Sequence, residues 1–358
     1  MKLVMTLLAR DEADVVDAQL AFHLHAGVDF VVATDHGSSD GTTEILERYA
    51  RAGYLHLIRE QDPEYREVEW RTRMARLGAT EFGADWVINS DADEFWWPRG
   101  ENLKAMLASI PPRYGIVRAF WRPFVPRPDD DRLFAERMTV RLSPDAAIHD
   151  PTSQFRPNAK VIHRAHPRLT VGRGNHTIDG VSLQPLRGWY PVELFHFPMR
   201  SLAQVERKAS IYRSSDETRL HDGHRKLHVA LEAGNLEDQY REHVVDDRAL
   251  ERGLAEGSLV DDTRLRDALR MLVRTDEGAY ALPENGRDLL RLPLPTVVDD
   301  AAYAADAAVL GEADTVRLQR RLDELEARLA TLEWSPGRRL GRKAGSIARS
   351  IRRSPDSR

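Results

Sequence analysis

Over the first hundred residues, short apolar runs alternate with segments of helical spacing, the pattern of repeated βαβ units in a mostly parallel sheet. Leu3 to Leu8 is a continuous apolar run, as suits a strand covered on both faces. Asp14 to His25 carries Val16, Leu20 and Leu24 on one helical face. Phe30 to Thr34 predicts a second strand, which ends in Asp35-His-Gly-Ser-Ser-Asp-Gly41, a cluster of turn formers leading to a helix with Ile45, Leu46 and Tyr49. Tyr54 to Ile58 predicts a third strand, Glu67 to Phe82 a helix, and Asp85 to Asn89 a fourth strand that runs into Ser90-Asp-Ala-Asp-Glu-Phe95. Beyond Pro98 the pattern gives a helix over Leu103 to Ile110, a strand near Gly115 to Trp121 and a Pro- and Arg-rich loop over Arg122 to Arg132. Two or three short strands follow between Arg137 and Val192. From Ser201 to about Val273 the spacing is helical, until Pro283 to Pro295 breaks it.

The last fifty residues differ in kind. Leu318, Leu322, Leu325, Leu329 and Leu332 alternate steps of four and three, an a/d seam flanked by Arg and Glu. After Trp334, a basic helix places Leu340, Ala344, Ile347 and Ile351 on one face, the signature of contact with an anionic membrane surface. The reading is therefore a domain over 1–200, a helical extension over 201–300, a coiled-coil segment over 301–334 and a basic amphipathic tail over 335–358.

Charge sharpens this division. The net charge is −5, but from Ser335 onward eight basic residues stand against Asp356 alone, so the tail carries +7 and the remainder −12. An acidic body whose tail has no aromatic residues interleaved beyond Trp334 argues against nucleic acid as the partner. The absence of cysteine excludes disulfides, thiolate metal sites and cysteine nucleophiles together. The start lacks the long apolar core of a signal peptide, and no stretch approaches the roughly 18 apolar residues of a membrane span. A cytoplasmic chain, peripheral at the inner face of the plasma membrane through its tail, is expected.

Ligands of open α/β sheets bind outside the carboxyl ends of the strands, where both acidic turns fall. Asp91 and Asp93, one residue apart at a strand end, can converge on a hard divalent cation that bridges them to a pyrophosphate. In the earlier turn, Asp35 can accept hydrogen bonds from a base or ribose. There Gly37 and Gly41 permit close backbone approach, and Asp40 can cap the next helix.

Three ordered motifs carry a family resemblance over about the first hundred residues. Met5-Thr-Leu-Leu-Ala-Arg-Asp-Glu-Ala, Asp35-His-Gly-Ser-Ser-Asp-Gly-Thr and Trp86-Val-Ile-Asn-Ser-Asp-Ala-Asp-Glu-Phe together resemble the bacterial family 2-type glycosyltransferases with the type A (GT-A) fold. Asp11 and His36 depart from the asparagines usual there. The resemblance implies an α/β fold with a Rossmann-like, doubly wound, mostly parallel sheet. It also implies a nucleotide site lined by Leu8, Arg10, Glu12 and Ala92, with Asp35 at the base and Asp40 beside the ribose or diphosphate. Mg²⁺ or Mn²⁺ would be held by Asp91, Asp93 and a C-terminal histidine, for which His196 is preferred over His176. Lys160, Arg200 and Lys208 are available to neutralise phosphate.

An inverting transfer further needs a carboxylate base for the acceptor hydroxyl. Glu193 and Asp150 are the candidates, with Asp179 behind them, while Glu94 could shape the donor sugar site. Trp96, Trp97, Trp121, Trp189 and Tyr190 are candidate stacking surfaces. The expected activity is metal-dependent transfer of a sugar, with inversion, from a nucleotide-diphosphate sugar to a glycan, lipid-linked or other hydroxyl acceptor, in a chain that self-associates through its leucine seam. Two alternatives stand beside it. A sugar-nucleotide pyrophosphorylase would want a Gly-rich loop after the first strand, where Leu8-Ala-Arg-Asp-Glu stands instead. A non-catalytic membrane-surface adaptor would have no use for the four aspartates.

Overall fold

Strand β1 (Leu3–Ala9) is buried along its whole length because it lies in the middle of a sheet with helices on both faces. The computed structural model describes residues 1–62, 64–130, 132–143, 159–211, 222–283 and 289–293, with isolated residues between 308 and 326. On one side of β1 lie β2 (Phe30–Asp35) and then β3 (Leu55–Arg59), and on the other β4 (Trp86–Asp91), all four parallel. The connecting helices are α1 (Val16–His25), α2 (Thr42–Arg51) and α3 (Glu67–Thr80). This half matches the alternation of apolar runs and helical spacing in the sequence, element for element.

The other half of the sheet is mixed. β5 (Glu94–Pro98) forms its far edge, and α4 (Leu103–Ala108) leads to β6 (Ile116–Pro123). Then come α5 (Phe134–Arg137) and β7 (Val140–Leu142), followed by β8 (Ala159–Arg164), β9 (Thr170–Val171), β10 (Ile178–Asp179) and β11 (Val192–His196). The order is β3-β2-β1-β4-β8-β6-β11-β5, with β8 antiparallel to both neighbours and β5 antiparallel to β11. The strands between Arg137 and Val192 thus number four among the described residues, not two or three, and β5 and β11 add pairing that no alternation announces.

The order imposes a shape. β4 and β5 are separated by three strands, so a flat sheet at about 4.8 Å per strand would hold them roughly 19 Å apart. Asp91 ends one and Glu94 begins the other, and three residues span at most roughly 10 Å. The sheet must therefore curl until its far edge returns over the carboxyl end of β4. Packing fixes the curl. Phe22 of α1, Phe95 and Trp97 of β5 and Phe195 of β11 stack in one aromatic cluster. Buried His23 bonds through Nδ1 to the carbonyl of Gln19 at 2.7 Å and accepts the amide of Trp96 on Nε2 at 3.0 Å. Burial pushes its pKa down to about 4, so the ring stays neutral and ties helix to strand.

The chain forms two compact units, Met1–Val309 and Leu310–Arg358. Within the first, α6 (Leu202–Ile211), α7 (Asp222–Ala233) and α8 (Leu236–His243) share a small apolar core around Val205, Ala209, Ala230 and Tyr240. Past α9 (Asp247–Glu256), β12 (Leu259–Asp261) pairs with β7, and α10 (Arg264–Met271) returns Leu265, Ala268 and Leu269 to the main core. Helices α6 to α10 thus belong to the same compact unit as the sheet. In the second unit Leu318, Leu322 and Leu325 are helical and exposed. Leu329, Leu332 and the tail over 335–358 lie outside the described residues. No helix among the described residues is long and apolar enough to cross a membrane.

Candidate active site

At the carboxyl ends of β1 and β4, beside α3 and α6, opens a cleft of about 1370 Å³. Its lining gathers eleven of the residues singled out from sequence: Leu8, Arg10, Glu12, Asp91, Ala92, Asp93 and His196, together with His176, Trp121, Lys160 and Lys208. Asp35 and Asp40 are not brought to it. Asp35 Oδ1 accepts from the Ser38 amide at 3.1 Å and its hydroxyl at 2.6 Å, and Oδ2 accepts from the Thr43 hydroxyl. Asp40 accepts from Thr42 on one oxygen and from the Ala13 amide at 3.0 Å on the other, so it ties the loop after β1 to the loop after β2. The helix cap is Gly41, at φ +103°, a conformation glycine adopts without strain. These two aspartates brace the loops after β1 and β2.

One wall of the cleft is aromatic, with His36, Tyr65 and Trp70. His36 packs 4.6 Å from Trp70, and Tyr65 meets Trp70 edge-on at 5.7 Å. His36 Nε2 lies 2.8 Å from the Asp62 carbonyl and Nδ1 lies 3.4 Å from Arg10, a pairing that assigns the neutral tautomer with the proton on Nε2. Burial pushes the ring's pKa down in the same sense. Trp70 escapes the sequence reading because α3 looks like any amphipathic helix there, and Tyr65 because it stands alone in the loop before it.

The two aspartates of the strand-end turn part company. Asp91 Oδ1 takes the Arg71 guanidinium at 2.5 Å and Oδ2 takes the Lys160 ammonium, which also meets Glu94 Oε1 at 2.6 Å. Asp93 Oδ2 instead faces His196 Nε2 at 3.7 Å, Lys208 Nζ at 3.1 Å and Arg200 Nη1 at 3.9 Å. Burial opposes ionisation of both. The cations overcome it, Arg71 and Lys160 for Asp91 and Lys208 foremost for Asp93, so each carboxyl sits well below the usual range. Glu12, bound to Arg200, goes the other way: burial dominates and lifts it to about 7.

A divalent cation fits one end of this set. An acidic oxygen and an imidazole nitrogen 3.7 Å apart can both ligate one ion; the carboxylate suits Mn²⁺ or Mg²⁺, and the imidazole favours Mn²⁺ of the two. No cluster of three His, Asp or Glu that could hold a metal occurs among the described residues, so the remaining positions would fall to substrate oxygens or water. Asp91, paired on both oxygens, is not aimed at that ion. His176 bonds the Ala159 carbonyl through Nδ1 at 2.7 Å, which leaves His196 as the histidine beside Asp93.

Among the expected sugar platforms, Trp121 alone lines the cleft. It stacks on His196 at 4.5 Å and donates from Nε1 to Glu94 at 3.1 Å. Trp96, Trp97 and Tyr190 are core residues, and Trp189 is exposed. Glu94 is wholly buried beneath the turn and accepts the Asp91 amide. Of the candidate bases, Asp150 lies outside the described residues, and Asp179 pairs with the hydroxyl of Thr177 on exposed β10. Glu193 lies on the β11 face opposite His196, since strand side chains alternate. Its carboxylate meets Arg122 at 2.9 Å and Arg264 at 2.7 Å, a structural ion pair and not a base.

Residues 9–166 match the family model of glycosyltransferase family 92; the motif resemblance was to family 2. No curated protein matches the chain. Among solved structures it is similar to S. aureus TarS (13% identity, 66% of this chain and 43% of that one, TM-score 0.31). It is also similar to S. aureus TarS 1-349 in complex with UDP-GlcNAc (14%, 63% and 69%, TM-score 0.33). A third is glucosyl-3-phosphoglycerate synthase from Mycobacterium tuberculosis in complex with Mn²⁺, UDP and glucosyl-3-phosphoglycerate (19%, 34% and 44%, TM-score 0.25). The chain spans less than half the length of the first and third of these.

The Glu193 cluster makes a sharp prediction. Burial raises its pKa, but Arg264 and then Arg122 overcome that and hold it well below its ordinary 4.5. Its stabilisation is then complete above pH 4.5 and lost as pH falls toward the folded value. Glu193→Gln removes the carboxylate that buried Arg122 shares with half-buried Arg264, which keeps Asp262, so it should cost about 3 kcal/mol at pH 7 and flatten the acid limb of stability against pH. Urea melts across pH 3 to 7 read both; wild-type stability at pH 7 contradicts the assignment.

Proposed function

We propose that this chain transfers a sugar from a nucleoside diphosphate sugar to a hydroxyl acceptor, with Asp93 and His196 holding a divalent cation. The observation that carries the reading is the approach of Asp93 Oδ2 and His196 Nε2 to 3.7 Å inside a cleft at the carboxyl ends of the parallel strands. The family 92 match over residues 9–166 supports it, since the loop after β1, all of β4 and the whole strand-end turn fall within that stretch.

The roles follow from the lining. The aromatic wall of His36, Tyr65 and Trp70 offers a face for the base. The cation, when bound, neutralises charge on the diphosphate as it departs. Arg71 and Lys160 hold Asp91 in place at that end of the cleft. Trp121 keeps the His196 ring in plane and presents an apolar edge to the sugar. In the transfer itself the acceptor oxygen bonds to the anomeric carbon. The bond from that carbon to the phosphate oxygen breaks, its electron pair leaves with the diphosphate, and the hydroxyl proton passes to a carboxylate. We assign that proton to Asp150, in the segment that leads into Lys160, and the outcome to inversion.

Two experiments test this. With Mn²⁺ and a panel of nucleotide sugars, the protein should release nucleoside diphosphate, and Asp93→Asn or His196→Ala should slow release roughly 100-fold. Equal release by the variants, or by the wild type after chelation, contradicts the reading. The basic tail should bring the enzyme to lipid-linked acceptors at an anionic bilayer. Deleting residues 335–358 should abolish cosedimentation with phosphatidylserine vesicles; retention after deletion contradicts that part.

A further inference from the structure

One oxygen, Asp93 Oδ2, is shared by three groups, and they differ in how firmly they are held. His196 is fixed in β11 under Trp121. Arg200 is fully buried, clamped by Glu12 and Asp14 and by the Phe197 carbonyl at 3.1 Å. Lys208 is different. It reaches Asp93 from α6 on a flexible four-carbon stem, its side chain is 21% exposed, and its hydrogen bond is to that one oxygen, at 3.1 Å. The cations on Asp91 make the contrast plain: Arg71 and Lys160 are buried on α3 and β8 and each meets two carboxylates.

An ammonium 3.1 Å from Oδ2 and a divalent ion bound to the same atom would lie within about 5 Å of each other, and at that range their repulsion is large even at the screened dielectric of a protein edge. The two cannot share the oxygen as it stands. The donor diphosphate, meanwhile, would bring two or three negative charges to the same end of the cleft, which Lys208 lines.

We propose that Lys208 is a tethered counter-cation: it neutralises Asp93 in the free protein, yields that oxygen to the divalent ion, and passes to the diphosphate of the donor. This rests on the proposed transfer reaction and adds a residue to it. Lys208 thereby couples arrival of the ion to capture of the anion, because the charge that leaves Asp93 has a phosphate oxygen as its next partner. Burial disfavours the ammonium, but Asp93 and Glu12 outweigh it and raise its pKa to about 12, so the lysine stays charged throughout.

The test is titration of the full-length protein with Mn²⁺ alone, read by electron paramagnetic resonance. Lys208→Met keeps the stem and removes the charge, so Mn²⁺ should bind about tenfold tighter than to wild type. Lys208→Arg, which keeps the charge, should bind Mn²⁺ as wild type does. With Mn²⁺ saturating, Lys208→Met should bind inorganic pyrophosphate about tenfold more weakly. Mn²⁺ affinity unchanged or reduced in Lys208→Met, with an unaltered circular dichroism spectrum, overturns the proposal. Failure of the transfer reading looks different: no nucleotide sugar is turned over by the wild type, while the Mn²⁺ titrations still separate Met from Arg at 208.

Discussion

Two residues, Ala92 and Asp93, carry the chain from β4 in the middle of the sheet to β5 at its far edge, and much of the architecture follows from that short reach. A flat sheet cannot accommodate it. The sheet curls, β11 is drawn beside β5 in the register that sets His196 opposite Glu94, and the imidazole arrives next to Asp93. The convergence of a carboxylate and a histidine a hundred residues apart is thus a product of strand order. It is locked by Phe22, Trp97 and Phe195 packing behind the turn.

The second theme is charge. Asp91, Asp93, Glu12 and Glu94 crowd the base of one cleft, and each meets a cation drawn from a different element: Arg71 from α3, Lys160 from β8, Lys208 from α6 and Arg200 from the segment before it. Such pairs cost desolvation and return little net stability. What they provide is position. Asp91 is bound on both oxygens to rigid partners, while Asp93 keeps one partner on a long flexible stem, so equivalent aspartates of one short motif do different work.

The parallel half of the sheet was legible because its signal is local: buried strands read as continuous apolar runs, and the helices between them have their own period. β5 and β11 were not legible, since β5 runs straight on from the acidic turn, Glu193 interrupts the short run of β11, and only long-range pairing makes them strands. β12 lies inside a stretch that reads as helical and is recruited by β7. At the site, Asp91 and Asp93 could be chosen from motif spacing, while Leu8, Arg10, Glu12, Ala92 and His196 were implied by the family resemblance, and all line the cleft. What spacing cannot say is where a carboxylate spends its hydrogen bonds. Asp35 and Asp40 go to the turn, and Glu193 to two arginines across the sheet. Those partners are distant in sequence or set by loop geometry.

The division of labour between Asp91 and Asp93 is the center of the account. Crystals grown with Mn²⁺ and measured for anomalous scattering at the manganese edge examine it directly. The account predicts one peak about 2.2 Å from both Asp93 Oδ2 and His196 Nε2, with Asp91 still on Arg71 and Lys160. A peak ligated by Asp91, with its bonds to those two cations broken, contradicts it.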